Sequence, residues 1–157
     1  MATQKTPFVS ICCISYNHEL YIRETLDGFV MQETDFPYEI VISDDCSTDN
    51  TRAIIAEYSS KYPNLFRDVS PEKNLGVIEN WKHVHKEAKG EYIAFCEGDD
   101  SWLDVKKLHM QVEYMLSHPT CGLCITDFCY QNDLDSEHRS EPAFASNNTF
   151  QPLTFFD

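Results

Sequence analysis

The chain has 157 residues, enough for one domain with a sizeable core and too few for two complete ones. Twelve Lys and Arg against 26 Asp and Glu give a formal charge of −14, which repels a phosphate backbone and excludes general nucleic-acid binding. Residues 1–7 lack the apolar core of a secretory signal and no stretch is long enough to cross a bilayer, so a soluble, cytoplasmic protein is expected.

Residues 8–14 are a compact apolar run that predicts a strand, and residues 19–32 carry Leu20, Ile22, Leu26, Phe29 and Val30 at helical spacing. Residues 38–43 predict a second strand ending in Asp44 and Asp45, with Ser47, Thr48 and Asp49 as N-caps for a helix through Ile54, Ile55 and Tyr58. Residues 65–69 read as a weaker strand, 71–76 as a turn, and 77–88 as a helix with Val77, Trp81 and Val84 inward. A fourth strand enters an acidic loop, residues 103–117 predict an amphipathic helix with Leu108, Val112, Met115 and Leu116 on one side, and residues 121–129 predict a fifth strand. Residues 131–148 are polar and aperiodic, which predicts a long loop, and Leu153, Phe155 and Phe156 predict the start of a further element. Strands alternating with helices imply right-handed crossovers and a doubly wound, mainly parallel α/β sheet with helices on both faces.

The acidic loop is the most informative stretch. Glu91-Tyr-Ile-Ala-Phe-Cys-Glu-Gly-Asp-Asp100 runs from an apolar strand into three carboxylates around one glycine. In open α/β sheets ligands bind beyond the carboxyl ends of the strands, so the acids stand where a ligand would. Carboxylates so close raise one another's pKa unless a cation or donors compensate. Hard oxygen ligands suit Mg²⁺ or Mn²⁺, whose shell is completed by water and substrate phosphates, so one reading is a metal-bound phosphate ligand. The other is a solvated acidic turn with Asp100 or Ser101 capping the next helix.

Seven cysteines are an odd number, and Cys12, Cys13, Cys46 and Cys96 lie in or beside predicted strands, which favours reduced thiols over a disulfide framework. Cys121-Gly-Leu-Cys124 has no second pair to complete a zinc site, and His83 and His85 face different sides of their predicted helix. Asn147-Asn148-Thr149 fits a glycosylation pattern that has no chemical consequence without a secretory signal. No G-x-G-x-x-G follows the first strand, against a dinucleotide-dependent dehydrogenase. A phosphate-accepting receiver domain draws its acids from the first and third strands and a lysine from the fifth, whereas the acids here follow the second and fourth.

Four motifs stand in order: Phe8-Val-Ser-Ile-Cys-Cys-Ile-Ser-Tyr-Asn17, Ile42-Ser-Asp-Asp-Cys-Ser-Thr-Asp-Asn-Thr51, Asn74-Leu-Gly-Val77, and Gly90 through Asp100. Together they resemble the N-terminal, nucleotide-sugar-binding part of the inverting family 2 glycosyltransferases. Lys107-Leu108 and the Thr126-Asp127 strand end extend the likeness. The resemblance implies the GT-A fold, with residues 8–130 as the nucleotide-sugar-binding domain, residues 1–7 as a disordered N-terminus and residues 131–157 as a loop and the start of an acceptor-binding part, in a chain that stops mid-domain.

It also implies a donor site. Asp45 is the candidate acceptor for a uracil N–H, with Ser15, Tyr16, Asn17 and Asp44 lining the same cleft; helix capping is the plainer role for Asp44 or Asp45. Asn80 matches a nucleotide-facing position, although surface polarity explains an asparagine there equally well. Glu97 stands where the family pattern begins with aspartate and is expected at the ribose. Gly98 is expected to admit close backbone approach in a turn conformation that a β-carbon resists. Asp99 and Asp100 are expected to hold Mn²⁺ or Mg²⁺, Asp99 also facing the nucleotide, and Trp102 packs beside the site or in the core.

The implied activity is transfer of a sugar from a nucleoside-diphosphate sugar, with UDP as the expected base, to a saccharide or lipid-linked acceptor hydroxyl, with inversion. The general base comes from the family's second half, and none is assigned here; Asp127 matches the donor half. The competing function is a nucleotide-binding module without transferase activity. Polysaccharide or glycolipid assembly, peripheral contact at the inner face of the membrane and a homodimer through an unpaired edge complete the expectations.

Overall fold

The computed structural model describes residues 6–129, 131–132 and 135–139. The chain divides into two compact units, Met1–His109 and Met110–Asp157. In the first, β1 (Val9–Ser15), α1 (Ile22–Val30), β2 (Tyr38–Asp44), α2 (Thr51–Lys61), β3 (Phe66–Asp68), α3 (Val77–Glu87) and β4 (Tyr92–Phe95) alternate as the sequence predicts. The four strands form one parallel sheet in the order β3-β2-β1-β4.

β1 is central because it is apolar or small throughout, and a parallel strand covered on both faces needs that composition. Its residues pair with β2 from Val9↔Tyr38 to Ser15↔Asp44 and with β4 from Val9↔Tyr92 to Cys12↔Phe95. Cys12, Ile14 and Val41 pack with Val84 of α3 on one face, while Ile11, Cys13, Ile40 and Ile42 of the opposite parity are also fully buried. Each buried Ile, Leu or Phe contributes about 1.5–3 kcal/mol. The full register puts Ser15 and Asp44 level with each other at the carboxyl edge.

A polar clasp holds the amino edge. Ser10 Oγ donates to Glu39 Oε1 at 2.7 Å, and the N–H groups of Lys89 and Gly90 come back to Ser10 Oγ at 3.1 and 2.7 Å. Arg67 Nη1 reaches Glu39 Oε2 at 3.2 Å and the Glu87 carbonyl at 2.7 Å, joining β2, β3 and the end of α3.

Several expectations are corrected. α4 (Lys107–Ser117) starts later than residue 103, so neither Asp100 nor Ser101 caps it; Asp104 accepts the Lys106 N–H instead. α2 starts at Thr51 with Asn50 as its N-cap residue, and of the three expected caps Asp49 alone bonds the Thr51 N–H, at 2.9 Å. Val77 and Trp81 point outward, and Leu116 is exposed. Residues 121–129 are irregular, not a fifth strand: an apolar run becomes a strand only where a neighbour completes its ladder, and none does so among the described residues. Part of the expected loop is an antiparallel pair, β5 (Gln131–Asn132) with β6 (Asp135–Arg139). Leu153, Phe155 and Phe156 lie outside the described residues.

The cysteines form no disulfide. Burial pushes the thiols of Cys12 and Cys96 up to about 12 and that of Cys13 well above its usual value, as reduced core residues require.

Candidate functional site

The carboxyl ends of β1, β2 and β4 lie side by side, and their loops tie into one another. Asn17 adopts a left-handed conformation, φ 57°, which asparagine tolerates better than most residues. That turn lets its Oδ1 accept the Thr48 N–H at 2.8 Å while its own N–H donates to Ser47 Oγ at 2.8 Å. Tyr16, 47% exposed, stands at the rim.

Asp44, the last residue of β2, and Asp45, directly after it, are both buried. Asp44 accepts from the backbone N–H and hydroxyl of Ser47, with Arg52 Nη1 3.8 Å away, so it forms the turn and does not line the cleft as expected. Asp45 receives Leu75 N–H on Oδ1 at 2.7 Å and Gly76 N–H on Oδ2 at 2.8 Å, while its carbonyl accepts from Asn74 Nδ2. The Asn74-Leu-Gly-Val77 motif therefore wraps the Asp45 carboxylate, and Gly76, at φ 80°, supplies the turn into α3. Asn80 is 1% exposed, which rules out the surface reading. Its Oδ1 accepts the Ser43 hydroxyl and its Nδ2 donates to the Ser43 carbonyl, so it braces the end of β2 and does not face a cleft.

The β4 loop carries the exposed acids Glu97, Asp99 and Asp100. Gly98 N–H donates to the Ile14 carbonyl at 2.9 Å and its own carbonyl accepts from Thr25 Oγ1 at 3.1 Å. Its φ is not positive; glycine is required by crowding, since a Cβ there would stand 2.7 Å from Ser15 Oγ and 2.8 Å from His18 Nδ1. Burial and then the neighbouring Asp99 raise the Asp100 carboxyl above its ordinary range, with His18 opposing. Trp102 is a core residue, edge-on to Phe29 at 4.9 Å.

Sequence reasoning missed His18. Its Nε2 stands 3.8 Å from Asp99 Oδ2, and its Nδ1, like Ser15 Oγ, is buried with no hydrogen-bond partner. Its place directly after Ser15-Tyr16-Asn17 was the available signal. Buried polar atoms without partners are uncommon, and these two lie together against Gly98 of the acidic loop. No three His, Cys, Asp or Glu side chains among the described residues form a closed metal cage. Two adjacent exposed carboxylates suit a cation that takes the rest of its shell from water and phosphate oxygens, so the donor set fits Mg²⁺ or Mn²⁺ shared with a ligand.

Against known families, the model described as glycosyl transferase family 2 matches residues 10–156. The chain belongs to that family. An uncharacterized protein of Mycobacterium tuberculosis is 53% identical over 116 residues, 74% of this chain and 34% of that protein. The Escherichia coli UDP-Glc:alpha-D-GlcNAc-diphosphoundecaprenol beta-1,3-glucosyltransferase WfgD is 34% identical over 110 residues, 70% of this chain and 42% of that enzyme. Among solved structures, Staphylococcus aureus TarS 1–349 in complex with UDP superposes with a TM-score of 0.60 at 32% identity, over 71% of this chain and 32% of that one. The mannosyltransferase PcManGT of Pyrobaculum calidifontis, in complex with GDP-Man and Mn²⁺, gives 0.67 at 26% identity, over 78% of this chain and 36% of that one. This family 2 chain thus has the doubly wound GT-A-type sheet, and it spans about a third of the length of the first curated relatives it matches. No helix among its described residues is long and apolar enough to cross a membrane.

Proposed function

We propose that this chain forms the donor half of an inverting glycosyltransferase that takes a nucleoside-diphosphate sugar, UDP-linked, and delivers the sugar to an acceptor hydroxyl. One observation carries the reading: Ser15, Asn17, Asp45 and the Glu97–Asp100 loop converge at the carboxyl ends of three adjacent strands in a member of this family.

Each residue has a role that its chemistry permits. Asp45 is ionisable, and two backbone N–H groups leave each oxygen a further lone pair for a uracil N–H. Ser15, Tyr16 and Asn17 line the base side, and Glu97 faces ribose. Gly98 keeps the loop against β1, so that Asp99 and Asp100 stand over the diphosphate, with Asp99 oriented by His18. Those two carboxylates would hold Mn²⁺ or Mg²⁺, which when bound offsets charge on the departing diphosphate. In the transfer, the acceptor oxygen bonds to the anomeric carbon as the bond from that carbon to the phosphate oxygen breaks. The acceptor proton passes to a carboxylate base, a role we assign to none of the described residues. The names of the relatives favour a saccharide or lipid-linked acceptor, reached by peripheral contact with a membrane.

Calorimetric titration with UDP, GDP, dTDP and CDP, with Mn²⁺ and then with EDTA, tests the reading. The expected result is metal-dependent binding of UDP that Asp99→Asn weakens at least tenfold. Failure of all four nucleotides to bind with Mn²⁺ present overturns it.

A further inference from the structure

On the α3 side of the sheet, beside the acidic loop, lies a group of aromatic rings to which the donor site gives no role. Trp81 of α3 and Phe95 at the end of β4 are 43% and 47% exposed, high values for large rings that face each other. They lie nearly parallel, with centroids 5.0 Å apart and 7° between planes, and His85 closes the group at 3.9 Å from Trp81 and 4.3 Å from Phe95. His85 Nδ1 stands 2.7 Å from the Trp81 carbonyl, which can only accept, so Nδ1 donates there; Nε2 is buried with no hydrogen-bond partner. Trp81 and Phe95 line a cavity of about 290 Å³ together with Cys12, Ile14, Cys96, Glu97 and Asp100. That volume is at the lower end of ligand-sized clefts, which begin near about 300 Å³.

Resting on the donor-site reading above, we propose that Trp81 and Phe95 are a stacking platform for a pyranose ring. A pyranose has one face of C–H bonds with partial positive charge, complementary to the negative face of an aromatic ring, and a rim of hydroxyls that need acceptors. The cavity lining supplies both, the Trp81 and Phe95 rings and the Glu97 and Asp100 carboxylates. A purely apolar partner would strand those carboxylates without donors. The pyranose belongs either to the acceptor or to the donor sugar, and both present the same face and rim.

Fluorescence separates these sources. The chain has two tryptophans, and Trp102 is 7% exposed, so acrylamide quenching in the intact chain reports on Trp81. Quenching is measured with UDP and Mn²⁺ alone, with UDP-glucose or UDP-N-acetylglucosamine, and with methyl glycosides of glucose, galactose, mannose and N-acetylglucosamine, with and without UDP. Shielding by methyl glycosides assigns the platform to the acceptor, and shielding by the UDP-sugars alone assigns it to the donor sugar. In either case Trp81→Ala weakens that saccharide's binding about tenfold, as expected for loss of one aromatic stacking contact, and leaves UDP affinity unchanged; Trp81→Phe restores most of it. UDP binding with no shielding by any saccharide overturns the proposal, as does shielding that appears only with rising protein concentration, the mark of a contact between copies. Absence of UDP binding overturns the donor-site reading instead; shielding by the methyl glycosides without UDP then still supports the platform, and no shielding by any saccharide overturns it.

Discussion

Asp45 accepts the backbone N–H of Gly76 at 2.8 Å, fastening the end of β2 to the residue that precedes α3. With the Leu75 N–H on its other oxygen, one buried carboxylate organises a loop that begins 29 residues later in the chain.

Asp45→Ala therefore has two effects. Removing the acceptor leaves the Leu75 N–H without its partner and the Gly76 N–H with Asn74 Oδ1 alone, at a cost of about 1–3 kcal/mol in stability, read as a lower melting temperature. It also weakens UDP binding more than it weakens Mn²⁺ binding. A melting temperature equal to that of the native chain would show that the loop does not depend on this carboxylate, and an unchanged UDP affinity would remove Asp45 from base recognition.

Asp100→Asn separates function from stability in the opposite direction. The Asp100 carboxyl titrates above its unfolded value because burial, and then Asp99, disfavour its charge. Folding thus favours the protonated form, and the ionised form carries a penalty that appears as pH rises through the interval between the unfolded and folded values and persists at neutral pH. The asparagine variant is expected to melt slightly higher than the native chain at pH 7 without metal, to lose that advantage at pH 3, and to bind Mn²⁺ and UDP together more weakly. Melting curves at the two pH values check the first part; a variant less stable at pH 7 would contradict it.

Gly98→Ala puts a methyl group into a space bounded by Ser15 Oγ and His18 Nδ1, with Ser15 Cβ at 3.0 Å. Overpacking of this kind costs about 1–3 kcal/mol, and relief requires the acidic loop to move off β1. UDP affinity and thermal stability should both fall, and adding His18→Ala should recover part of the stability and none of the affinity, since His18 orients Asp99. No loss in the single variant would show that the loop has room to adjust.

Much of this was legible before the structure. The apolar runs of β1 and β2 and the acids that end β2 and β4 announce themselves because strand burial and ligand chemistry use residue types that local sequence displays. The fates of Asp44 and Asn80 were hidden. Asp44 turns inward to Ser47, three residues on, and Asn80 is buried by a partner far away in the chain, since Ser43 lies 37 residues from it. Helical periodicity set Trp81 inward with Val84, but periodicity identifies an apolar stripe without saying how much of it the sheet covers. The run from residue 121 to 129 has strand composition and lacks a neighbour to pair with among the described residues, which composition does not register.

The clasp of Ser10, Glu39, Arg67 and Lys89 lies at the opposite edge of the sheet from every residue assigned to donor or saccharide. Strand alignment is thus secured where no chemistry takes place. Loops at the other edge can exchange residues, and with them the base or sugar that they accept, while the strands beneath keep their register. The two edges are free to diversify at different rates, and donor preference can drift across descendants of this chain without a new scaffold.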